Sequence, residues 1–255
     1  MIELDTIYNE DCLTGMQRIP DGSVDCIICD LPYGTTKNKW DSVIPLDKLW
    51  EQYKRISKPE AAIVLFSQQP FTSQLVMSNP DMFRYEWIWE KDNGTGFLNA
   101  NYAPMKKHEN ILVFSQLAAC YVKNPADAMK YNPQKVAGKP YTCKQGGIGT
   151  NYDYVNSKPT VTKNDGERYP TSLLKFNRDK DKVHPTQKPV DLIAYLIRTY
   201  SNPGDTILDN TIGSGTTAVA AMREKRHFIG FELNRDYYDI ALRRIKLEQQ
   251  QQTLF

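Results

Sequence analysis

Short blocks of apolar residues alternate with polar segments along residues 1–116, and their spacing switches between that of strands and that of helices. Strands are predicted at "LDTIY", "SVDCIIC", "AAIVLFS", "FRYEWIWEK" and "ENILVFSQ". Helices are predicted near "CLTGMQRI", "PLDKLWEQYKRI" and "FTSQLVM". This alternation predicts a mostly parallel sheet with helices on both faces.

The same kind of pattern returns after residue 182. A helix in "PVDLIAYLIRTY" precedes the strand "TILDNTI", the Ala-rich helix of "GSGTTAVAAMREK", the strand "HFIGFEL" and the amphipathic helix "RDYYDIALRRIKLEQ". A strand, a Gly-rich turn, a helix and a second strand in this order are built like a nucleotide-cofactor site. We therefore predict one doubly wound α/β domain formed by residues 1–119 and 183–255.

Residues 120–182 interrupt the pattern, because they are rich in Tyr, Asn, Pro, Gly and Lys and have hardly any apolar periodicity. They carry 12 Lys and Arg against 6 Asp and Glu, whereas the whole chain has a net charge of only +2. One interpretation is a long flexible insertion. The other is a basic surface for a polyanion, in which Lys and Arg meet phosphates and tyrosine rings meet bases.

The bulk composition fits a globular enzyme-sized chain of 255 residues, of which 40% are hydrophobic and 24% charged. No apolar stretch approaches the roughly 20 residues that span a bilayer. The N-terminal "MIELDTIYNEDC" is acidic and lacks the apolar core of a signal peptide. These features predict a cytoplasmic protein with no membrane partner.

Five cysteines without regular spacing argue against a disulfide scaffold. Cys26 and Cys29 form a C-x-x-C motif, which is a spacing of zinc and redox sites. Residues three apart in a strand point to opposite faces, so we interpret them as buried strand cysteines and predict no metal site.

The Gly-rich turn "DNTIGSGTTA" suits a nucleotide cofactor. Gly213 and Gly215 let the backbone approach a ligand, and the following helix presents free amides to it. Glu232 closes the next strand, where such folds place an acid for ribose hydroxyls. The turn also fits a nicotinamide dehydrogenase or a plain helix cap. Asp209 before the glycines, and the absence of a dehydrogenase catalytic set, favour a methyl-donor nucleoside.

A second chemical motif, "DLPY", ends the strand "SVDCIIC". Methylation of an exocyclic base amine requires oxygens that accept its protons and an aromatic face that holds the extruded base. Asp30 supplies a carboxylate, Leu31 a carbonyl held by the stiff Pro32, and Tyr33 a stacking surface. Alone, the tetrapeptide also fits an ordinary Pro-containing turn.

Four motifs in this order make the chain similar to the β-class DNA amino-methyltransferases. They are "NEDC" at 9–12, "DLPY" at 30–33, "HPTQKP" at 184–189 and "DNTIGSGTT" at 209–217, and "KHENILVFS" resembles a further family segment. The resemblance implies a doubly wound, mostly parallel Rossmann-like methyltransferase sheet with an inserted target-recognition region at 120–182. It also implies S-adenosylmethionine as cofactor.

The resemblance implies residue roles as well. Asp11 would bind the adenine of S-adenosylmethionine and Glu232 its ribose, with further cofactor contacts from Cys12, Asp30, Thr186, Lys188, Asp209, Gly213, Ser214, Gly215 and Thr216. The target-base pocket would be formed by Asp30, Leu31, Pro32 and Tyr33. The concentration of positive charge, and not the resemblance, predicts DNA binding by Lys135, Lys139, Lys144 and Arg168 in 120–182, with Lys37 and Lys39 of "TTKNKWD" as further candidates. Two departures from the family pattern are Leu31 for the commoner proline and Asn210-Thr211 for the usual Pro-Phe.

The implied reaction is methylation of the N6 amine of adenine in double-stranded DNA after base flipping. Cytosine-specific members more often begin the tetrapeptide with Ser, so Asp30 favours adenine over the N4 amine of cytosine. The rival hypotheses are methylation of RNA or of a protein glutamine, a DNA-binding module without turnover, and a nicotinamide oxidoreductase. DNA binding would associate the protein with the nucleoid. A homodimer and a cognate restriction endonuclease are compatible with the sequence, and activity would not require the endonuclease.

Overall fold

The computed structural model describes residues 2–34, 42–120, 122–145, 160–179 and 187–252. The chain divides into two compact units. The larger unit comprises Met1–Asn132 and Ser172–Phe255, and the smaller unit comprises Pro133–Thr171. The larger unit contains all the residues of the two predicted chemical motifs.

Twelve strands lie within the described residues. In chain order they are β1 (Thr6–Tyr8), β2 (Val24–Asp30), β3 (Ser57–Ser67), β4 (Phe83–Thr95), β5 (Lys106–Phe114), β6 (Val136–Ala137), β7 (Tyr141–Gln145), β8 (Thr160–Asn164), β9 (Glu167–Arg168), β10 (Leu173–Lys175), β11 (Thr206–Asp209) and β12 (His227–Phe231). The described α-helices are α1 (Cys12–Met16), α2 (Leu46–Ile56), α3 (Phe71–Ser78), α4 (Val190–Tyr200), α5 (Thr216–Arg223) and α6 (Arg235–Gln252). None of these helices combines the length and the apolar character needed to cross a membrane.

Eight strands form the sheet of the larger unit, in the order β1-β12-β11-β2-β3-β5-β4-β10. β5 is antiparallel to both of its neighbours, and the remaining pairs are parallel. The carboxyl ends of β2, β4, β11 and β12 therefore lie at the same edge of the sheet. The predicted doubly wound, mostly parallel α/β fold is confirmed.

Helices cover both faces of this sheet because its strands are apolar on both sides. On one face α4 and α5 pack over Cys26 and Ile28 of β2. On the other face α2 and α3 pack over Ile27 and Cys29. The two thiols of the C-x-x-C motif thus point into different cores, as strand alternation predicts.

Local sequence explains why α2 forms where it does. Its buried side chains are Leu49, Trp50, Tyr53 and Ile56, which recur at helical spacing and make one apolar stripe. Its first turn carries an acidic residue and its last turn two basic residues, which complement the helix dipole.

The smaller unit is narrower than the predicted insertion at 120–182. Within it, β6 pairs with β9 and β7 with β8, both antiparallel. Residues before 133 belong to the larger unit: the Lys130 amide donates to the Glu60 carbonyl, and the Asn132 amide donates to the Thr199 carbonyl. After 171, β10 adds the eighth strand to the large sheet. These hydrogen bonds join residues that are far apart in the sequence. The local pattern of apolar residues therefore does not indicate where the smaller unit begins and ends.

Candidate active site

A cavity of about 620 Å³ lies at the edge where the carboxyl ends of β2 and β11 meet. β2 continues to β3 on one side of the sheet, while β11 continues to β12 on the other, so the strand order reverses between them. Crevices at such a switch point are the usual ligand sites of doubly wound sheets. The cavity belongs entirely to the larger unit.

Most residues that the sequence singled out line this cavity. They are Asp11, Cys12, Asp30, Leu31, Pro32, Tyr33, Lys188, Asp209, Gly213, Ser214, Thr216 and Glu232. The structure thus brings together five chain segments that are up to about two hundred residues apart in sequence.

Asp30 lies within a group of four charged residues and one tyrosine, here termed the Asp30 cluster: Asp30, Tyr33, Lys188, Glu109 and Lys91. The Tyr33 hydroxyl donates to Asp30 Oδ1 at 2.6 Å, and Lys188 Nζ donates to Asp30 Oδ2 at 2.5 Å. Lys188 Nζ also lies 3.1 Å from Glu109 Oε2, and Lys91 forms an ion pair with Glu109. Two ammonium groups and two carboxylates therefore alternate along one line of contacts.

The charges of the cluster shift one another's protonation. Burial raises the pKa of Asp30, and the Lys188 ammonium opposes this rise by stabilising the ionised carboxylate. Burial acts in the same direction on Glu109, but Lys188 and Lys91 outweigh it and lower the pKa of Glu109 to about 2. The pKa of Lys188 is raised, since its two carboxylate partners outweigh its own burial. Both Lys188 and Glu109 thus remain charged at neutral pH.

The ring of Tyr33 is held in place by a second ring. The Tyr33 ring stacks on Phe71 of α3, with ring centroids 5.3 Å apart and an angle of 29° between planes. Together with the hydrogen bond to Asp30, this contact fixes the orientation of Tyr33.

Glu232 follows β12 and lines the cavity. Its carboxylate accepts the Gly213 amide at 2.9 Å and the Asn234 amide at 2.7 Å. Burial raises the pKa of Glu232. Asp11 caps the N-terminus of α1, where its Oδ1 accepts the Thr14 amide at 3.0 Å.

The two glycines of the turn have different roles. Gly213 has a positive φ of 54°, lines the cavity and donates its amide to Glu232. Gly215 does not line the cavity. Its φ is 82°, and a β-carbon there would lie 3.0 Å from the β-carbon of Ala241 in α6. Gly215 thus makes room for a helix, and a valine there would disturb packing. Its contact with the cofactor stays a prediction.

Arg244 of α6 stabilises the Gly-rich turn through hydrogen bonds. Its guanidinium donates to the Ser214 carbonyl at 2.8 Å, to the Ser214 hydroxyl at 3.1 Å and to Thr216 Oγ1 at 3.0 Å. Sequence reasoning missed Arg244, because nothing in the amphipathic pattern of the last helix distinguishes it from other surface arginines.

Asn210, the first residue of the Asn210-Thr211 departure from the family pattern, is buried in a polar network between the sheet and two helices. Its Oδ1 accepts the Cys29 thiol at 2.8 Å and the Tyr53 hydroxyl at 2.5 Å. Its Nδ2 donates to Cys12 Sγ at 3.5 Å. Asn210 thus joins β11 to β2, α1 and α2, and its partners replace the packing that an apolar residue would provide.

Thr211, the second residue of the same departure, connects the two chemical motifs. Its hydroxyl donates to the Asp30 carbonyl at 3.1 Å, and its amide donates to Asp209 Oδ1 at 3.1 Å. The Thr217 hydroxyl donates to Asp209 Oδ2 at 2.6 Å. Burial nevertheless raises the pKa of Asp209 to about 7.

In the smaller unit, two predicted DNA-binding residues are engaged within the unit itself. Lys135 Nζ lies 2.6 Å from Glu167 Oε2 and 5.1 Å from the centroid of the Tyr169 ring. The Arg168 guanidinium lies 4.7 Å from the centroid of the Tyr141 ring. Cation and aromatic face are thus paired on an exposed surface.

Lys139 and Lys144 are also exposed in this unit. Three further predicted residues, Lys37, Lys39 and Thr186, lie outside the residues that the structure describes.

Sequence comparison places the chain in a known group. A family model with the description DNA methylase, covering N6 and N4 methyltransferases, matches residues 24–243. Type II methyltransferase M.BglII of Bacillus subtilis is 31% identical, and the alignment covers 93% of this chain and 68% of that protein. DNA adenine methyltransferase YhdJ of Escherichia coli (strain K12) is 29% identical, over 95% of this chain and 83% of that protein.

Solved structures share the fold. PvuII DNA methyltransferase (cytosine-N4-specific) superposes with a TM-score of 0.67 at 16% identity, covering 93% of this chain and 84% of that one. The complex of M1.HpyAVI with SAM superposes with a TM-score of 0.61 at 24% identity, covering 94% of this chain and 98% of that one.

Fold, cavity and comparisons together define an S-adenosylmethionine-dependent DNA methyltransferase. The chain belongs to the N6/N4 DNA methylase family. The predicted family and cofactor are confirmed, and the comparisons exclude a nicotinamide oxidoreductase.

Proposed function

We propose that this enzyme methylates the exocyclic N6 amine of adenine at a specific site in duplex DNA, after the base has been extruded. The observation that carries the proposal is the position of the Asp30 carboxylate, which shares one cavity with Asp209 and Glu232. That cavity offers an acceptor for amine protons beside groups that suit a cationic nucleoside. Adenine is favoured by the aspartate that begins the tetrapeptide.

The cofactor side of the cavity suits S-adenosylmethionine in size and charge. Its volume of about 620 Å³ falls in the range of roughly 300–1,000 Å³ typical of ligand sites. Glu232 would accept hydrogen bonds from the ribose and Asp11 would meet the adenine, while Asp209 and Gly213 would meet the methionine portion. When bound, S-adenosylmethionine supplies a methyl group on a positively charged sulfur, which the surrounding carboxylates favour.

Asp30 and the Leu31 carbonyl would hold the target amine. A carboxylate has about four acceptor sites, and Tyr33 and Lys188 each use one of those on Asp30. The remaining sites accept the amine protons and direct the nitrogen lone pair toward the methyl carbon. As the nitrogen gains the methyl group it loses one proton, which the Asp30 carboxylate accepts and passes to water.

The smaller unit is proposed to read the DNA. Support comes from its exposed Lys139 and Lys144 and from its paired cations and aromatic rings at Lys135 and Arg168. Lysines meet phosphates and tyrosine faces meet bases. Lys37 and Lys39, which follow the catalytic tetrapeptide, are proposed as further phosphate contacts.

The test is to express the chain in a host that lacks DNA methylation and to sequence its DNA with detection of modified bases. Mass spectrometry of the digested DNA should then find N6-methyladenine at one recurring sequence, and the Asp30→Ala variant should leave none. N4-methylcytosine as the sole product would contradict the choice of adenine. Unmodified DNA in the presence of folded protein would contradict the proposal as a whole.

A further inference from the structure

β4 and β5 form a long hairpin whose tip, residues 96–105, stands beyond the sheet edge that carries the active site. Asp30 pairs with Phe66 of β3, Phe66 with Ile111 of β5, and Ile111 with Trp87 of β4, so these residues mark one level of the sheet. The hairpin continues past this level to the pair Thr95 and Lys106. The five residues from Ile111 to Lys106 correspond to about 17 Å of strand.

The tip exposes four large apolar side chains, here termed the apolar tip. Phe97 is 77% exposed, Leu98 94%, Tyr102 89% and Met105 41%. Single exposed apolar residues are ordinary, whereas four within nine residues of one turn are not.

The turn itself is well formed. Residues Phe97–Asn99 make one turn of 3-10 helix. The amides of Tyr102 and Ala103 both donate to the Asn99 carbonyl at 2.9 Å. The apolar side chains are therefore displayed by a defined backbone conformation.

The apolar tip adjoins the mouth of the active-site cavity. Thr95, the last residue of β4, and Lys91 both line the cavity. Lys106 and Lys107 begin the returning strand and are exposed. The apolar tip, with lysines beside it, thus lies at the opening through which a target base must enter. Duplex DNA has matching chemistry, because its stacked bases are apolar and its two backbones carry negatively charged phosphates.

We propose that the apolar tip enters the base stack of the duplex and occupies the space beside the target base as that base leaves. The proposal rests on the proposed function, because it requires a base to be extruded. Extrusion breaks the pairing and stacking of the target, and apolar side chains inserted between base steps replace part of the lost stacking. The tip would thus lower the cost of moving the base into the cavity.

The deciding experiment compares two DNA substrates with the same recognition site, which is first found by modified-base sequencing. In one duplex the target base is fully paired, and in the other it faces an abasic site. The variants are Phe97→Ala/Leu98→Ala, the apolar replacement Phe97→Leu, and the control Leu4→Ala. Leu4 is 47% exposed and precedes β1. β1 is the first strand in the order of the sheet, whereas β4 is the seventh.

We expect the double alanine variant to lose roughly tenfold or more in kcat/KM on the paired duplex and less than about threefold on the abasic duplex. Phe97→Leu should keep most of the activity, and Leu4→Ala should match the wild type. The affinity for S-adenosylmethionine, measured by calorimetry, should be the same in all four proteins.

An equal loss on both substrates, or no loss on the paired one, would overturn the proposal. A change from dimer to monomer in sedimentation of the double variant would also overturn it, since the tip would then be a subunit interface. If the enzyme does not extrude its target base, the wild type should show no preference for the abasic duplex over the paired one. The wild-type comparison therefore tests base extrusion separately from the role of the tip. The identity of the methylated base does not affect the comparison.

Discussion

The Asp30 cluster and the smaller unit both contain charged residues, but they hold them in opposite ways. In the cluster, the side chains of Lys91, Lys188 and Glu109 are less than one-tenth exposed, and each contacts an opposite charge. In the smaller unit, Lys135 and Glu167 pair at the surface, with 37% and 59% of their side chains exposed. Buried charges are costly to separate from their partners, whereas exposed pairs contribute about 0–1 kcal/mol.

This difference suits the two tasks that we propose for these regions. In the proposed mechanism methyl transfer needs a carboxylate held in one position, and the contacts of Asp30 with Tyr33 and Lys188 hold it there. DNA recognition needs charges that exchange water and intramolecular partners for phosphates, and exposure permits that exchange. Substitutions in the two regions should therefore change different measurements.

Loss of the central carboxylate should have the largest effect. Asp30→Ala removes the proposed acceptor for the amine protons, and we expect methyl transfer to fall by at least about 10²–10³-fold, to the limit of detection. Radiolabelled methyl transfer measures this directly, and calorimetry with S-adenosylmethionine separates it from cofactor binding. Activity near that of the wild type would remove Asp30 from the mechanism.

Glu109→Gln should reduce stability, because it leaves the ammonium groups of Lys91 and Lys188 facing a neutral amide. We expect the free energy of unfolding at neutral pH to fall by about 3–5 kcal/mol, as measured by urea denaturation. Glu90, partly buried on the neighbouring strand and paired with the exposed Lys107 and Lys175, provides the matched control. Glu90→Gln should change the free energy of unfolding much less than Glu109→Gln does, because water screens the Glu90 pairs.

The stabilising effect of Glu109 on the fold should depend on pH. The pKa of Glu109 is lowered from an ordinary 4.5 to about 2, so the folded state binds this proton more weakly than the unfolded state. Its stabilisation is then present above about pH 4.5 and is lost as the pH falls toward 2. The difference in unfolding free energy between wild type and Glu109→Gln should shrink over that interval. A difference that stays constant would show that the charge of Glu109 is not what stabilises the fold.

Substitution of Tyr33 should have an intermediate effect. Tyr33→Ala loses base stacking worth roughly 1–3 kcal/mol in the transfer step. Tyr33→Phe keeps the ring on Phe71 and loses the hydrogen bond to Asp30, worth about 0.5–1.5 kcal/mol. Single-turnover kinetics should therefore rank wild type, Phe and Ala in that order. Equal rates for Phe and Ala would indicate that the hydroxyl, not the ring, matters.

Neutralising the lysines of the smaller unit should have the smallest effect per residue. Replacing Lys135, Lys139 and Lys144 by Gln should weaken DNA binding and reduce its salt slope by about one for each phosphate that the variant no longer binds. The affinity for S-adenosylmethionine should not change. Lys48→Gln, an exposed substitution on α2, is the control. An unchanged slope in the triple variant would show that these lysines do not bind phosphates. Lys37 and Lys39 would then be the next residues to test.

The sequence predicted the parts of the site that depend on strand ends. Asp30, Asp209 and Glu232 each follow an apolar strand, and parallel strands bring their carboxyl ends to one edge. The structure brings these three residues into one cavity, while their roles stay predictions. The alternation of apolar segments likewise sufficed for the fold class.

Pairings between distant segments could not be predicted in the same way. Glu109 and Lys91 look like ordinary surface residues of strands, and they become buried because β4, β5 and the segment before α4 meet at Asp30. Gly215 matches a ligand-binding pattern, but its neighbour is Ala241 of the last helix. In each case the deciding contact is made by a residue whose own surroundings in the sequence carry no signal.

The pairing of β2 with β11 has a consequence for biosynthesis. β2 lies in the middle of the sheet, yet Cys26 meets Ile207, a residue made about 180 positions later. At roughly 5–20 residues per second, a ribosome needs about 10–40 s to reach the second strand. During that interval one edge of an apolar central strand has no lasting partner on the nascent chain, which makes it a ready binding site for chaperones. The cofactor cavity is thus among the last parts of the domain to form.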